Sequence, residues 1–224
     1  MTPHDAEALI AYLRQFISES RWNRFQEVIN ERTNHIQVVL ENIYQAHNSS
    51  AVLRSCDCFG IQNVHYIEAR NSMRISHLVA KGSSTWLDVY QHDSRKSSTK
   101  DILVNLKSQG YRIVATSPHA KTTINELDIH QPFALVFGTE RTGISAEVNE
   151  VADAFVKIPM HGFTESFNIS VSAALCLYEL TNRLRKSDIH YRLTATDRTR
   201  VLSSWLRQSI DNSDLLIKRF LENK

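Results

Sequence analysis

Three polar clusters in this 224-residue chain hold the residue types that do chemistry. The first runs from His47-Asn48-Ser49-Ser50 to Arg54 and ends at Phe59-Gly60, with an amide six residues ahead of a guanidinium. The second, Phe137-Gly138-Thr139-Glu140-Arg141-Thr142-Gly143, places a carboxylate in a turn bounded by glycines. The third begins Ile158-Pro159-Met160-His161-Gly162 and continues through Ser166-Phe167-Asn168 to Ser170-Val171-Ser172. Taken singly, each has a plain structural reading: Asn48, Ser166 and Asn168 as helix caps, Glu140 as a turn acid. Three common signatures are missing. No two of the six glycines are separated by one residue, so there is no dinucleotide fingerprint. Gly138 and Gly143 have the internal spacing of a P-loop, but Ile144-Ser145 stands where lysine and a hydroxyl residue are required. No G-x-S-x-G elbow occurs. These absences disfavour a dehydrogenase, an NTPase and an α/β-hydrolase.

Taken together, N-x5-R-x4-FG, then FG-x-E-x-x-G, then IPM-x-G-x3-S-x-N-x-S-V are far more specific. In this order they resemble the three motifs of the SpoU/TrmH branch of the SPOUT RNA methyltransferases. The resemblance covers about residues 24–185. It is greatest to the branch's tRNA (guanosine-2′-O)-methyltransferases, through Arg24-Phe25 to Arg32, Val38-Val39-Leu40-Glu41 and Ala46-His47-Asn48. It implies transfer of a methyl group from S-adenosylmethionine to a ribose 2′-hydroxyl, with guanosine 18 of the tRNA D-loop as the expected target.

An alcohol must lose its proton as the new bond forms. The resemblance gives that role to Arg54, assisted by an RNA phosphate. Arginine keeps its proton to a pKa above about 12, so binding and orienting the phosphate is the competing role. Asn48, Glu140, Ser166 and Asn168 are implied to orient the arginine, the cofactor loop and the phosphate. Backbone groups near Thr116, Gly138, Ile158 and Phe167 are implied to hold the adenosine; the branch usually has leucine at Phe167. The resemblance further implies a C-terminal trefoil knot, which general rules of connection would never suggest. It also implies a homodimer, to which the 169–180 helix contributes apolar surface; the competing reading of that helix is ordinary core.

The elements that must position these clusters alternate. Leu9, Tyr12, Leu13, Phe16 and Ile17 fall on one helical stripe behind Thr2-Pro3, and Trp22, Phe25, Val28 and Ile29 continue it in a second helix. Strands are predicted at 36–40, 64–67, 86–90, 111–116, 133–137 and 154–158. Helices are predicted at 48–59, with Asn48 as cap and Gly60 in the left-handed cap position, at 99–109, and at 169–185. The alternation predicts an α/β fold, a mostly parallel sheet with helices on both faces and ligands at the carboxyl ends of its strands. Val201, Leu202, Trp205, Leu206 and Ile210 resume a helical period, broken at 211–214. The chain divides into an N-terminal helical extension (1–35), a catalytic domain (36–185) and a basic helical extension (186–224).

Composition is that of a globular protein, 42% hydrophobic and 22% charged. No apolar run approaches the roughly 20 residues of a membrane span, and no basic-then-apolar leader opens the chain, so a cytoplasmic protein is expected. Three cysteines form no disulfide framework, and Cys56-x-Cys58 lacks zinc-ligand spacing, so no metal is expected and both thiols read as buried or half-buried. Net charge is only +2, but residues 183–224 hold ten Lys or Arg against five acids. Such a tail suits a polyanion, and also suits a solvated helix face. Arg24, Arg32, Arg192, Arg198, Arg200 and Arg207 are the candidate RNA contacts. The alternatives are the same chemistry on ribosomal RNA, a non-catalytic RNA-binding relative, and a nucleotide-using oxidoreductase.

Overall fold

All six residues of Ile36–Glu41 (β1) are buried, as befits a strand flanked on both edges and covered on both faces. The computed structural model of the chain describes residues 3–68, 82–139 and 142–222. Within it, β1 pairs with Asn63–Glu68 (β2) on one side and Phe133–Phe137 (β6) on the other. Asp88–Asp93 (β3), Arg112–Thr116 (β4), Thr122–Thr123 (β5) and Ala154–Lys157 (β7) complete a seven-stranded sheet of order β3-β2-β1-β6-β4-β7-β5. Every pairing is parallel. The edge strand β3 is only partly buried, whereas β6 beside β1 is buried throughout.

Parallel strands need crossovers, and these helices cover both faces. On one face, Val38, Leu40, Leu135 and Phe137 pack with Val52, Leu53 and Cys56 of Ala46–Phe59 (α3) and with Ala173, Leu177 and Leu180 of Ile169–Arg185 (α6). On the other, Val39, Ala115 and Val136 pack with Ile102, Leu103 and Leu106 of Thr99–Ser108 (α4) and Val148 of Ala146–Val151 (α5). Each fully buried Val, Leu or Ile contributes about 1.5–3 kcal/mol. These strands and helices belong to a compact unit spanning 33–191.

A second unit joins residues 1–32 to 192–224. Its helices are Pro3–Arg14 (α1), Glu19–Glu31 (α2), Ala195–Ser209 (α7) and Ser213–Glu222 (α8). The Phe25 and Trp205 rings meet at 5.4 Å, and Ile29, Val201 and Leu206 are fully buried.

Local expectations need several corrections. The helix of the first cluster starts at Ala46 with Gln45 as its cap residue, so Asn48 lies inside the helix and is not its cap. Gly60 does take the left-handed conformation, φ 80°, and its N–H bonds back to the helix end. Trp86 belongs to a 3-10 turn, Ser83–Trp86, ahead of β3. α1 ends at Arg14, so Phe16 and Ile17 lie beyond it; Thr2, its expected cap, lies outside the described residues. Cys58 is exposed, while Cys56 is buried. The two-residue β5 carries no periodicity to read. α6 begins and ends at the expected residues, because Asn168 caps it and Ile169, Ala173, Cys176, Leu177, Leu180 and Leu184 keep one buried stripe.

Candidate active site

A cavity of about 530 Å³ opens at the carboxyl ends of β4, β6 and β7. That is the end at which open parallel sheets bind ligands, and the volume falls in the roughly 300–1,000 Å³ range of small-molecule sites. Thr116, Gly138, Ile158 and Phe167 all line it, as does Ser166. Thr116 stands at the end of β4, its hydroxyl donating to the Val136 carbonyl at 3.0 Å. Thus the four expected cofactor contacts, drawn from three distant stretches of chain, surround one space.

The turn after β6 is tightly built. Thr139 and Gly143 exchange both backbone hydrogen bonds, at 2.9 and 3.0 Å. The Thr139 and Thr142 hydroxyls lie 2.7 Å apart. A Cβ on Gly138 would stand 2.3 Å from the Gly143 carbonyl carbon, so only glycine permits this crossing. Gly143, at φ +69°, turns the chain back. Glu140, assigned to this turn, lies outside the described residues.

The first and third clusters meet through their amides. Asn168 Nδ2 donates to Asn48 Oδ1 at 3.2 Å, and Asn48 Nδ2 donates to Gln45 Oε1 at 3.3 Å. Asn168 also caps α6, its Oδ1 accepting from the Ser170 N–H at 2.9 Å and the Ser170 hydroxyl at 2.6 Å. Asn48 is buried, whereas the loop carrying Ser166 is exposed. Arg54, almost two turns along α3 from Asn48, is exposed and has no side-chain hydrogen bond or ion pair among the described residues. It does not line the cavity.

The cavity wall also includes His119, Thr139, Thr142, Asn149, Met160 and Cys176, which sequence reasoning did not single out. Thr139, Thr142 and Met160 stand within the motifs, and His119 follows the end of β4; strand-end position was the available signal. Burial pushes the Cys176 thiol up to about 12, so it is a neutral wall. The lining combines hydroxyls at Thr139 and Ser166 with apolar Ile144, Ile158 and Phe167, which fits a ligand with a polar and an apolar part. Among the described residues, no group of three or more His, Cys, Asp or Glu is placed to hold a metal ion.

The expected RNA contacts divide. Arg24, Arg192, Arg200 and Arg207 are exposed, and Arg198 is half-buried against Asn30 Oδ1 at 2.7 Å. Arg32 is a correction: it is 1% exposed, its guanidinium 5.4 Å from the centre of the Trp205 ring. The long aliphatic stem and flat head make it a packing residue, with no surface left for a phosphate.

Residues 35–178 match the SpoU rRNA Methylase family. The chain is 40% identical over 215 residues to the tRNA (guanosine(18)-2′-O)-methyltransferase of Borreliella burgdorferi, covering 96% of this chain and 94% of that one. The enzyme of that description from Thermus thermophilus is 32% identical over 194 residues, 85% of this chain and 98% of its own. Among solved structures, the A. aeolicus TrmH/SpoU tRNA modifying enzyme superposes with a TM-score of 0.75 at 29% identity, over 85% of this chain and 97% of that one. The chain belongs to the SpoU methylase family, and its parallel sheet is that family's fold.

Proposed function

We propose that this chain is an S-adenosylmethionine-dependent RNA methyltransferase that methylates the ribose 2′-hydroxyl of guanosine 18 in the tRNA D-loop. The observation that carries the reading is the cavity bounded by Thr116, Gly138, Ile158 and Phe167, one residue from the Asn48–Asn168 junction. It stands in a chain 40% identical, over nearly its whole length, to a relative of that description. When bound, S-adenosylmethionine supplies a methyl group already activated on its sulfonium. The backbone at Thr116, Gly138, Ile158 and Phe167 holds the adenosine; Ser166 closes the wall. What remains for the protein is positioning, with the 2′-hydroxyl proton passing to an RNA phosphate as the new bond forms. Arg54, exposed and free of partners among the described residues, grips an RNA phosphate and orients the ribose while keeping its own proton. Asn48 and Asn168 bind the two helix starts into one rim, and Glu140 belongs to the same set by its motif position.

The reading extends to partners. Arg24, Arg192, Arg200 and Arg207 offer charge to the tRNA backbone, whose binding must then weaken with salt. A second copy of the chain covers the exposed stripe Val171, Leu175 and Tyr178 on α6, and the chain crossing at the cavity forms the family's knot. A tRNA substrate implies a cytoplasmic setting.

The deciding experiment incubates the purified protein and labelled S-adenosylmethionine with unmodified tRNA and, separately, ribosomal RNA. Nuclease digestion and mass spectrometry then locate the label. 2′-O-methylguanosine at position 18 is expected. Label in ribosomal RNA alone would replace the substrate and keep the chemistry; label in neither would leave an RNA-binding relative.

A further inference from the structure

The returning end of the turn after β6 is held by a residue outside all three motifs. Leu40 pairs with Phe137, so the next residue on β1, Glu41, stands beside the start of that turn. Glu41 is 3% exposed, and its Oε2 accepts the backbone N–H of Ser145 at 3.0 Å. Ser145 directly follows Ile144, whose nitrogen lies 2.4 Å from where a Gly138 Cβ would be. The bond therefore acts one residue beyond the point where the chain passes tightly against Gly138. It is not what caps α5, since the Ser145 hydroxyl does that by accepting the Val148 N–H at 3.2 Å.

We propose that Glu41 is a positioning residue for the cofactor. Through the Ser145 amide it presses Ile144 and Gly143 against Gly138, and so sets the wall formed by Thr139, Thr142, Gly143 and Ile144. The proposal rests on reading this cavity as the S-adenosylmethionine site. A buried carboxylate is costly unless it is bonded, and a bond from N–H to an ionised oxygen is roughly twice as strong as a neutral one. A neutral amide of the same reach can still accept the bond. A shorter carboxylate cannot.

The test is calorimetric binding of S-adenosylmethionine, without RNA, to the full chain and to Glu41→Gln, Glu41→Asp and Ser145→Ala. Glu41→Gln is expected to bind within about threefold of the parent. Glu41→Asp is expected to bind at least tenfold more weakly. Ser145→Ala keeps the amide and loses only the cap, so it should bind within about threefold although it melts earlier. Equal binding by Glu41→Asp and the parent overturns the proposal; so does equal weakening by Glu41→Asp and Ser145→Ala, which would mean that general loosening of α5 is responsible. A measurement on the unaltered protein guards against variants that fail to fold. Because coupling is reciprocal, S-adenosylmethionine should slow hydrogen exchange at the Ser145 amide at least tenfold. Binding with unchanged exchange there overturns the proposal alone, whereas no binding by the parent chain overturns the reading of the cavity beneath it.

Discussion

Asn168 Nδ2 donates to Asn48 Oδ1 at 3.2 Å, across 120 residues of sequence. The bond joins the start of α6 to the first turn of α3, and the same Asn168 caps α6 through Ser170. Its reading as a cap is therefore satisfied, and substitution can separate that role from the one proposed for it in catalysis. Asn168→Ala is expected to cost about 1 kcal/mol from the lost cap, lowering Tm by about 2–4 °C. Asn168→Ser should recover most of that stability and leave turnover low, because serine caps but is too short to reach Asn48. Thermal unfolding beside single-turnover kinetics checks this; full turnover in Asn168→Ser would sever the link from catalysis.

Arg54 should show the opposite pattern. With an exposed side chain and no partner among the described residues, Arg54→Ala should change stability by less than about 0.5 kcal/mol. Turnover should fall at least a hundredfold if Arg54 orients the phosphate. Arg54→Lys should restore little, since a point charge does not replace a bidentate fork. Urea unfolding and methyl transfer measured on one preparation decide the matter.

Gly138→Ala adds a methyl 2.3 Å from the Gly143 backbone, a distance no contact tolerates. The turn must open, at a cost of about 1–3 kcal/mol, and S-adenosylmethionine binding should weaken more than tenfold. Gly162→Ala is the control, because nothing lies within 4 Å of its Cβ position. Calorimetric titration of both variants would show whether the close crossing, rather than any added methyl, matters.

Val171, Leu175 and Tyr178 fall at i, i+4 and i+7 on α6, exposed by 44, 40 and 57%. Their spacing makes one apolar stripe on the face away from the core. Tyr178→Glu should shift the chain from dimer to monomer in sedimentation, with the far-UV spectrum unchanged. A parent chain that sediments as a monomer at micromolar concentration would remove the dimer from the reading.

His65 sets a pH dependence far from the site. Its Nε2 lies 2.8 Å from Gln37 Oε1 and its Nδ1 3.0 Å from His92 Nε2, with the Tyr90 ring stacked at 4.8 Å. Burial first, and the neighbouring His92 second, lower its pKa to about 4. The unfolded chain then binds a proton near pH 6.5 that the folded chain refuses until about pH 4. Stability from this group is complete above pH 6.5 and is lost as pH falls toward 4, by about 2 kcal/mol at pH 5. His35 and His92 are also lowered, chiefly by burial, and act in that direction. Denaturant midpoints between pH 7.5 and 5 should fall in the parent and fall less in His65→Gln; parallel curves would show that His65 is not responsible.

Much of this protein is written locally. Strand β1 is an unbroken buried run, α6 follows a cap and a stripe, and Gly60 stands where only a left-handed residue closes the helix. Periodicity and cap chemistry act over a few residues, so the sequence alone determines such elements, their alternation and the motifs at strand ends. The order β3-β2-β1-β6-β4-β7-β5 is different in kind. It is chosen by which apolar faces fill each other, and no neighbouring residue carries that information. The same reason explains Arg32, whose charge suggested RNA and whose place beneath Trp205 makes it core. It explains Glu41 as well, given no role by the sequence until the Leu40–Phe137 register brings it to Ser145. Residue types and spacing determined the chemistry this chain can attempt; only tertiary packing decided which side chains meet, because contacts between distant segments form only when the sheet and its covering helices assemble.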